Sequence, residues 1–91
     1  MPSVKRVRVL VAGRVQGVFY RATCARLARE AGIGGFVRNL PDGRVEAAFE
    51  GPAEVVDRLV DWCRSGSDLA RVDEVLVVVE EPLGDETFRV P

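Results

Sequence analysis

The sequence contains no histidine and only two cysteines, Cys24 and Cys63, in 91 residues. Without histidine the chain cannot build a Ser-His-Asp triad, a cysteine–histidine pair or an imidazole metal site. Two distant cysteines also exclude a four-cysteine zinc site and a C-x-x-C redox pair. We expect both to be small buried residues, because a disulfide between them would need an oxidising compartment.

Long apolar segments are absent as well. No run reaches about 18 apolar residues, the length needed to span a membrane. The N-terminus has a basic start but no apolar region long enough for a signal peptide. These absences predict a cytoplasmic protein with no membrane partner. The composition, 47% hydrophobic and 30% charged, is typical of a globular protein, and 91 residues predict one domain covering 1–91.

The net charge is −1, which argues against a nucleic-acid partner, because nucleic-acid-binding domains usually have an excess of cations. The charges are nevertheless unevenly distributed. Residues 1–44 contain nine cationic and two acidic side chains, and residues 45–91 contain four and twelve. The basic half predicts a local anion site, with the alternative that the two halves only attract each other in the fold.

The hydrophobic periodicity predicts the element order β-α-β-β-α-β, followed by a short extra C-terminal strand. Predicted strands cover 4–12, 36–40, 44–50, 72–80 and 87–90, and amphipathic helices begin at 21 and after 51. In the first strand Val7, Val9 and Val11 share one face, which is typical of a half-buried strand. The pattern indicates an α+β protein with the ferredoxin-like α/β sandwich fold, in which two helices pack on one face of an antiparallel sheet.

A glycine-bounded loop separates the first strand from the first helix. Gly13 and Gly17 allow its backbone amides to turn toward one spot, and the N-terminus of the helix presents further amides and a positive dipole end. Arg21 adds a planar guanidinium suited to phosphate oxygens. The segment has neither the Walker pattern G-x-x-x-x-G-K-[ST] nor a cysteine nucleophile before the arginine. It predicts a cradle for one phosphoryl group or, alternatively, a plain glycine loop with a surface arginine.

Asn39 lies near the end of the second predicted strand, on the same side as Val37. Its amide can accept one hydrogen bond and donate another, so it could hold a water molecule beside the loop, although it cannot serve as a strong base. The alternative is an asparagine that caps the turn at 41–43.

Two long segments resemble the signatures of the acylphosphatase family. Residues 13–21, GRVQGVFYR, match the family pattern G-R-V-Q-G-V-x-[FY]-R throughout, and residues 35–45, GFVRNLPDGRV, match G-[FYW]-[AVC]-[KRQAM]-N-x-x-x-G-x-V. The similarity continues into 71–73 and 88–90 and so covers nearly the whole chain. The resemblance implies the ferredoxin-like fold and the hydrolysis of acyl phosphates to a carboxylate and inorganic phosphate by a monomer that needs no metal or other cofactor.

The resemblance also implies roles for individual residues. Arg21 matches the family's catalytic arginine, which binds the substrate phosphate, and Asn39 matches the catalytic asparagine, which positions the attacking water. The backbone amides that share in phosphate binding belong to Arg14, Val15, Gln16, Gly17, Val18 and Phe19. Cys24 stands where many relatives have threonine, and we expect this difference to change packing or fine positioning rather than to abolish activity.

Two alternatives use the same fold without this chemistry. An RNA-binding module would need an excess of cations and several exposed aromatic residues on its sheet, whereas the chain has only four phenylalanines, one tyrosine and one tryptophan. A small-anion sensor would keep the cradle without catalysis, and it would bind phosphate or an acyl phosphate without turnover. The sequence does not name the physiological acyl phosphate.

Overall fold

The computed structural model describes residues 3–91, so the first two residues, on which the signal-peptide argument partly rests, lie outside the described part of the chain. The elements are β1 (Val4–Arg14), α1 (Tyr20–Glu30), β2 (Gly34–Asn39), β3 (Val45–Pro52), α2 (Ala53–Ser65), β4 (Arg71–Glu80) and β5 (Phe88–Arg89). The strand order in the sheet is β4-β1-β3-β2-β5. Both helices pack on one face of the sheet, α2 over β1, β3 and β4, and α1 over β2 and β5. The predicted element order and the ferredoxin-like fold are therefore confirmed.

The sheet is mixed, and the prediction of a wholly antiparallel sheet is wrong for its last strand. Strands β1 to β4 pair antiparallel, whereas β5 runs parallel to β2, with Gly35 opposite Phe88 and Phe36 opposite Arg89. The segment 81–87 explains the direction. It leaves β4 at one edge of the sheet and reaches the other edge before the chain reverses, so β5 runs opposite to β4 and therefore in the direction of β2.

The core lies between the sheet and the two helices. The side chains of Val7, Val9 and Val11 are buried on the face that the alternating pattern predicted. Cys24 and Cys63 are unpaired and buried, as expected, and burial raises the pKa of the Cys63 thiol to about 12 and that of Cys24 well above its ordinary value. Both cysteines are thus packing residues rather than reactive thiols.

Strand β3 is buried on both faces, which its alternating sequence did not predict. Glu46 and Glu50 point away from the helices but are only 6% and 4% exposed. The cause is the central position of β3, because arginines from its neighbours cover this face. Arg38 Nε donates to Glu46 Oε1 at 2.6 Å, and Arg6 Nη1 donates to Glu50 Oε1 at 3.1 Å.

Two boundaries next to the predicted site differ slightly from the sequence-based prediction. β1 continues to Arg14, and α1 begins at Tyr20, one residue early. The loop between them is therefore only 15–19. None of the helices within residues 3–91 is long and apolar enough to cross a membrane.

Candidate active site

A pocket of about 240 Å³ opens where the end of β1, the start of α1 and the end of β2 meet. Its lining residues are Val15, Gly17, Phe19, Tyr20, Arg21, Ala22 and Asn39. The structure thus places Arg21 and Asn39, which are separated by 18 positions in the sequence, around one space. Of the six predicted loop residues, three line the pocket, whereas Arg14, Gln16 and Val18 do not.

The shape of the loop begins with a bulge at the end of β1. The pairing of β1 with β4 shifts register between Ala12 and Gly13. Gly13 has a φ of +132°, and a Cβ there would collide with the backbone carbonyl of Arg71 on β4. A glycine is therefore required for the close approach of the two strands, and the bulge directs the chain out of the sheet into the loop.

The backbone N–H groups of this segment are free. Among residues 3–91, no backbone carbonyl or side chain accepts a hydrogen bond from the amides of Val15 through Ala22, and the first bond of α1 runs from Thr23 N to Phe19 O at 3.0 Å. Helix α1 has no side-chain cap and no acidic residue in its first turn. Unpaired N–H groups at a helix N-terminus attract anions. The segment is therefore suited to hold an anion.

Arg21, in the first turn of α1, is exposed and has no carboxylate partner within residues 3–91. Arg14, at the end of β1, is likewise exposed and unpaired in this part of the chain. The other arginines and the lysine of the basic half do find partners within the fold. Ion pairs form at Lys5, Arg6, Arg8, Arg26, Arg38 and Arg44, and Arg29 donates to Phe88 O.

Attraction between charges within the fold accounts for most of the uneven charge distribution, and the local anion site stays a prediction. Most cations of the basic half are neutralised, several of them by carboxylates of the acidic half, such as Arg6 by Glu50 and Glu80. The two cations that flank the loop keep their charge available to a ligand. Two arginines without a carboxylate partner within residues 3–91 thus flank the loop of a protein whose net charge is −1.

Asn39 is the last residue of β2 and lies opposite Val45 of β3. Residues directly opposite in an antiparallel pair point to the same side of the sheet, and Val45 is fully buried beneath the helices. The Asn39 side chain is therefore on the helix-facing side, at the strand end that adjoins the loop. It is exposed and makes no hydrogen bond within residues 3–91.

The turn after Asn39 is closed without its side chain. Leu40 N donates to Arg44 O at 2.8 Å and Gly43 N donates to Leu40 O at 3.1 Å. Asp42, rather than Asn39, accepts the Arg44 amide, at 3.1 Å. The turn-capping alternative for Asn39 is thus not what the structure shows, and the amide group faces the pocket with its donor and acceptor free.

Gln16 connects the loop to this turn. Its side-chain Nε2 donates to Leu40 O at 2.8 Å and to Arg44 O at 3.0 Å. The sequence predicted only a backbone amide of Gln16 at the site, because the acceptors of its side chain lie 24 and 28 positions away and no local pattern signals them. Through Gln16, the segment that precedes Arg21 is held at a fixed distance from the segment that follows Asn39.

Two further hydrogen bonds hold the loop from the side of α2. Tyr20 Oη donates to Cys63 O at 2.8 Å, and Ser67 Oγ donates to Val18 O at 2.6 Å. Cys63 O belongs to the last turn of α2, where carbonyls have no helical partner. Burial raises the pKa of Tyr20 far above its ordinary value, so the phenol stays protonated and remains a donor. The rule that a buried tyrosine needs a hydrogen-bond partner could have signalled this anchor.

Cys24 lies one turn after Tyr20 in α1, where it is fully buried in the core and outside the pocket lining. Its position agrees with the expectation that it affects packing rather than chemistry. No cluster of three histidine, cysteine, aspartate or glutamate side chains that could hold a metal ion is found in the described part of the chain.

The fold and the pocket together define a class: a small ferredoxin-like α/β sandwich that presents unpaired amides and an arginine to an anion. The family model described as Acylphosphatase matches residues 7–90, and this chain belongs to that family. The crystal structure of acylphosphatase from Bacillus subtilis superposes with a TM-score of 0.91 at 31% identity and covers 98% of this chain and 99% of that chain.

Curated relatives are similar over most of their length. An acylphosphatase of Methylococcus capsulatus is 68% identical over 69 residues, which cover 76% of this chain and 75% of the relative. An acylphosphatase of Haloquadratum walsbyi is 54% identical over 85 residues, which cover 93% of this chain and 91% of the relative.

Proposed function

We propose that this protein hydrolyses acyl phosphates, with the phosphoryl group held by the loop and Arg21 and the attacking water positioned by Asn39. The observation that carries the proposal is that three features meet at one pocket: a segment, 15–22, whose amides are unpaired and most of whose residues line the pocket, an arginine without a carboxylate partner, and an asparagine with a free side chain. Membership of the acylphosphatase family supports the same reaction.

Phosphate binding follows from the chemistry of the donors. Backbone amides and a guanidinium form charge-assisted hydrogen bonds to phosphate oxygens, and a planar guanidinium can contact two of them at once. Phosphoryl transfer passes through a loose transition state with its charge on the equatorial oxygens. Fixed donors around those oxygens therefore stabilise the transition state by positioning and electrostatics.

The substrate class follows from what the pocket does not supply. A carboxylate leaving group has a conjugate-acid pKa of about 4, so it departs without a general acid. Water attacks phosphorus, the bond between phosphorus and the carboxyl oxygen breaks, and the carboxylate leaves with the bonding electron pair. Asn39 orients the water but cannot deprotonate it, so its proton passes to a phosphate oxygen. Phosphate monoesters, with poor alkoxide leaving groups, should be turned over weakly or not at all.

The test is hydrolysis of benzoyl phosphate by the purified protein with EDTA present, beside the variant Asn39→Ala. We expect chelator-resistant turnover that falls by ~10²-fold in the variant, the scale of losing one positioning donor, with nearly unchanged affinity for inorganic phosphate. Asp42→Asn is the matched control, because it changes a polar residue of the adjacent turn that does not line the pocket.

Each possible failure of this test identifies a different error. Phosphate binding without turnover would support the anion-sensor alternative. Turnover that EDTA abolishes would show that the reaction needs a metal ion. An equal loss of phosphate affinity in Asn39→Ala and in an Arg21 variant would show that the division of roles is wrong.

We also propose that residues 1–91 act as a single-domain monomer in the cytoplasm. The family resemblance supports the monomer, and two unpaired buried cysteines are compatible with a reducing compartment. Light scattering should give a mass near 10.0 kDa, and a dimer mass would refute the monomer.

A further inference from the structure

Phe19 is the one exposed aromatic residue among residues 3–91, and it lines the pocket. It is 71% exposed, whereas the other phenylalanines, Tyr20 and Trp62 are buried or half-buried. A single exposed apolar side chain needs no explanation by itself. Its place at the mouth of a pocket that also contains Arg21 and Asn39 does call for one.

The backbone at Phe19 gives a second, independent reason. Phe19 precedes the first residue of α1 with φ 64° and ψ 16°, in the left-handed region. Every other residue with positive φ in the described chain is a glycine. A bulky side chain in this conformation costs free energy that glycine would not, and such strain is concentrated at functional sites. The side chain at this position therefore contributes something that offsets the strain.

We propose that the Phe19 ring is the contact surface for the acyl group, and that the protein prefers acyl phosphates with an aromatic or bulky apolar acyl group over small ones. This inference rests on the proposed function. With the phosphoryl group held by the amides and Arg21, the acyl group extends toward the exposed mouth of the pocket, where Phe19 lies. None of the residues that line the pocket is acidic, and the Tyr20 hydroxyl is directed away to Cys63 O.

The reason for the preference is contact between rings. An aromatic acyl group can stack on Phe19 and remove apolar surface of both partners from water, whereas an acetyl group is too small to gain much from this contact. The contact lies outside the reacting bonds, so it affects which substrate is selected rather than how the bond breaks.

The test compares kcat/KM for benzoyl phosphate with kcat/KM for acetyl phosphate in the wild type, Phe19→Gly and Phe19→Tyr. Using the ratio cancels the different intrinsic reactivity of the two substrates and any general effect on the loop. We expect the ratio to fall roughly 2- to 12-fold in Phe19→Gly, the range of a single aromatic pair, and to be kept in Phe19→Tyr. Glycine adopts φ 64° without strain, so this variant should fold.

An unchanged ratio in Phe19→Gly, or an equal fall in Phe19→Tyr, would overturn the proposal. Calorimetry with benzoylphosphonate and acetylphosphonate, whose carbon–phosphorus bond is not hydrolysed, separates this outcome from failure of the proposed function. If the wild type hydrolyses neither substrate, the proposed hydrolysis is refuted. Even then, tighter binding of benzoylphosphonate than of acetylphosphonate by the wild type, lost in Phe19→Gly, would support the contact between Phe19 and the acyl group. Equal binding of the two phosphonates would refute it.

Discussion

The molecule brings backbone amides and an arginine together in two places. The first, which we call the Glu50 nest, consists of the amides of 83–85 and the guanidinium of Arg6 around the carboxylate of Glu50. Amides of Leu83, Gly84 and Asp85 donate to it at 2.8, 2.8 and 2.9 Å. The second is the loop and the first turn of α1 with Arg21, where no carboxylate of residues 3–91 takes that place.

The two places differ in the source of the anion: a carboxylate of the chain in the first, and a proposed external ligand in the second. In the Glu50 nest the chain supplies the anion, Arg6 and Glu50 are buried, and the result is a fixed connection between β3 and the segment that leads to β5. At the pocket the same kinds of donor have no protein acceptor within residues 3–91, which leaves them open to a ligand. Amides and a guanidinium therefore stabilise the fold where a protein carboxylate is within reach, and they stay open to a ligand where none is.

The largest effect on activity is expected at Arg21. We expect Arg21→Ala to lower kcat/KM for benzoyl phosphate by ~10³-fold, the low end for a transition-state arginine, and to weaken phosphate binding as well. The free energy of unfolding should change by less than about 0.5 kcal/mol, because the side chain is exposed and unpaired. Urea unfolding beside steady-state kinetics measures both quantities, and a large loss of stability would show that Arg21 also has a structural role.

Glu50→Gln should give the opposite result, a loss of stability with little change in activity. The glutamine amide would place its own N–H donors against the backbone donors of 83–85. It would also remove a negative charge beside the buried guanidinium of Arg6, and we expect the free energy of unfolding to fall by about 3 kcal/mol. Urea denaturation measures the loss, and Glu86→Gln, an exposed glutamate in the same segment, is the control. A change of less than about 1 kcal/mol would show that the nest contributes no more than a surface contact.

The dependence of stability on acid pH gives a second test of the Glu50 nest. Burial raises the pKa of Glu50, but the amides of Leu83 to Asp85 and the Arg6 guanidinium lower it more, so the pKa lies below the ordinary 4.5. A hydrogen bond from Arg89 similarly lowers the pKa of Asp85. A carboxyl group whose pKa is lower in the folded than in the unfolded protein stabilises the fold at pH values above its unfolded-state pKa. This stabilisation is lost as the pH falls through the folded-state pKa. Stability should therefore decrease below pH 4.5, and less steeply in Glu50→Gln.

Gln16 offers the smallest of these effects. Gln16→Ala should lower kcat for benzoyl phosphate about tenfold, because the distance between Arg21 and Asn39 is no longer fixed, while phosphate affinity changes little. The loss of stability should stay near 1 kcal/mol, since Leu40 O and Arg44 O each keep a backbone donor. Gln16→Glu, with the same length but no N–H donor, should be at least as slow as Gln16→Ala. An unchanged kcat in both variants would contradict this positioning role.

Local pattern predicted the parts of the molecule that depend on neighbouring residues. The buried face of β1 followed from alternation at Val7, Val9 and Val11, and the position of Asn39 at the end of a strand followed from the turn after it. The parts that were missed depend on distant pairs. They are the burial of Glu50, the side-chain contacts of Gln16 and the hydrogen bond from Tyr20 to Cys63. Each depends on residues more than 20 positions apart in the sequence, and no local periodicity indicates such pairs.

These distant anchors also set the order in which the molecule can assemble during synthesis. Arg21 and Asn39 both lie in the first half of the chain, but Tyr20 and Val18 find their partners only at Cys63 and Ser67. The end of β1 pairs with β4 as far along as Arg71. A nascent chain that has emerged only as far as β3 would therefore contain both proposed catalytic residues and the contacts of Gln16, but not the anchors from Cys63, Ser67 and β4. The complete set of loop anchors therefore exists only once the chain has been made as far as Arg71, well after the residues that line the pocket.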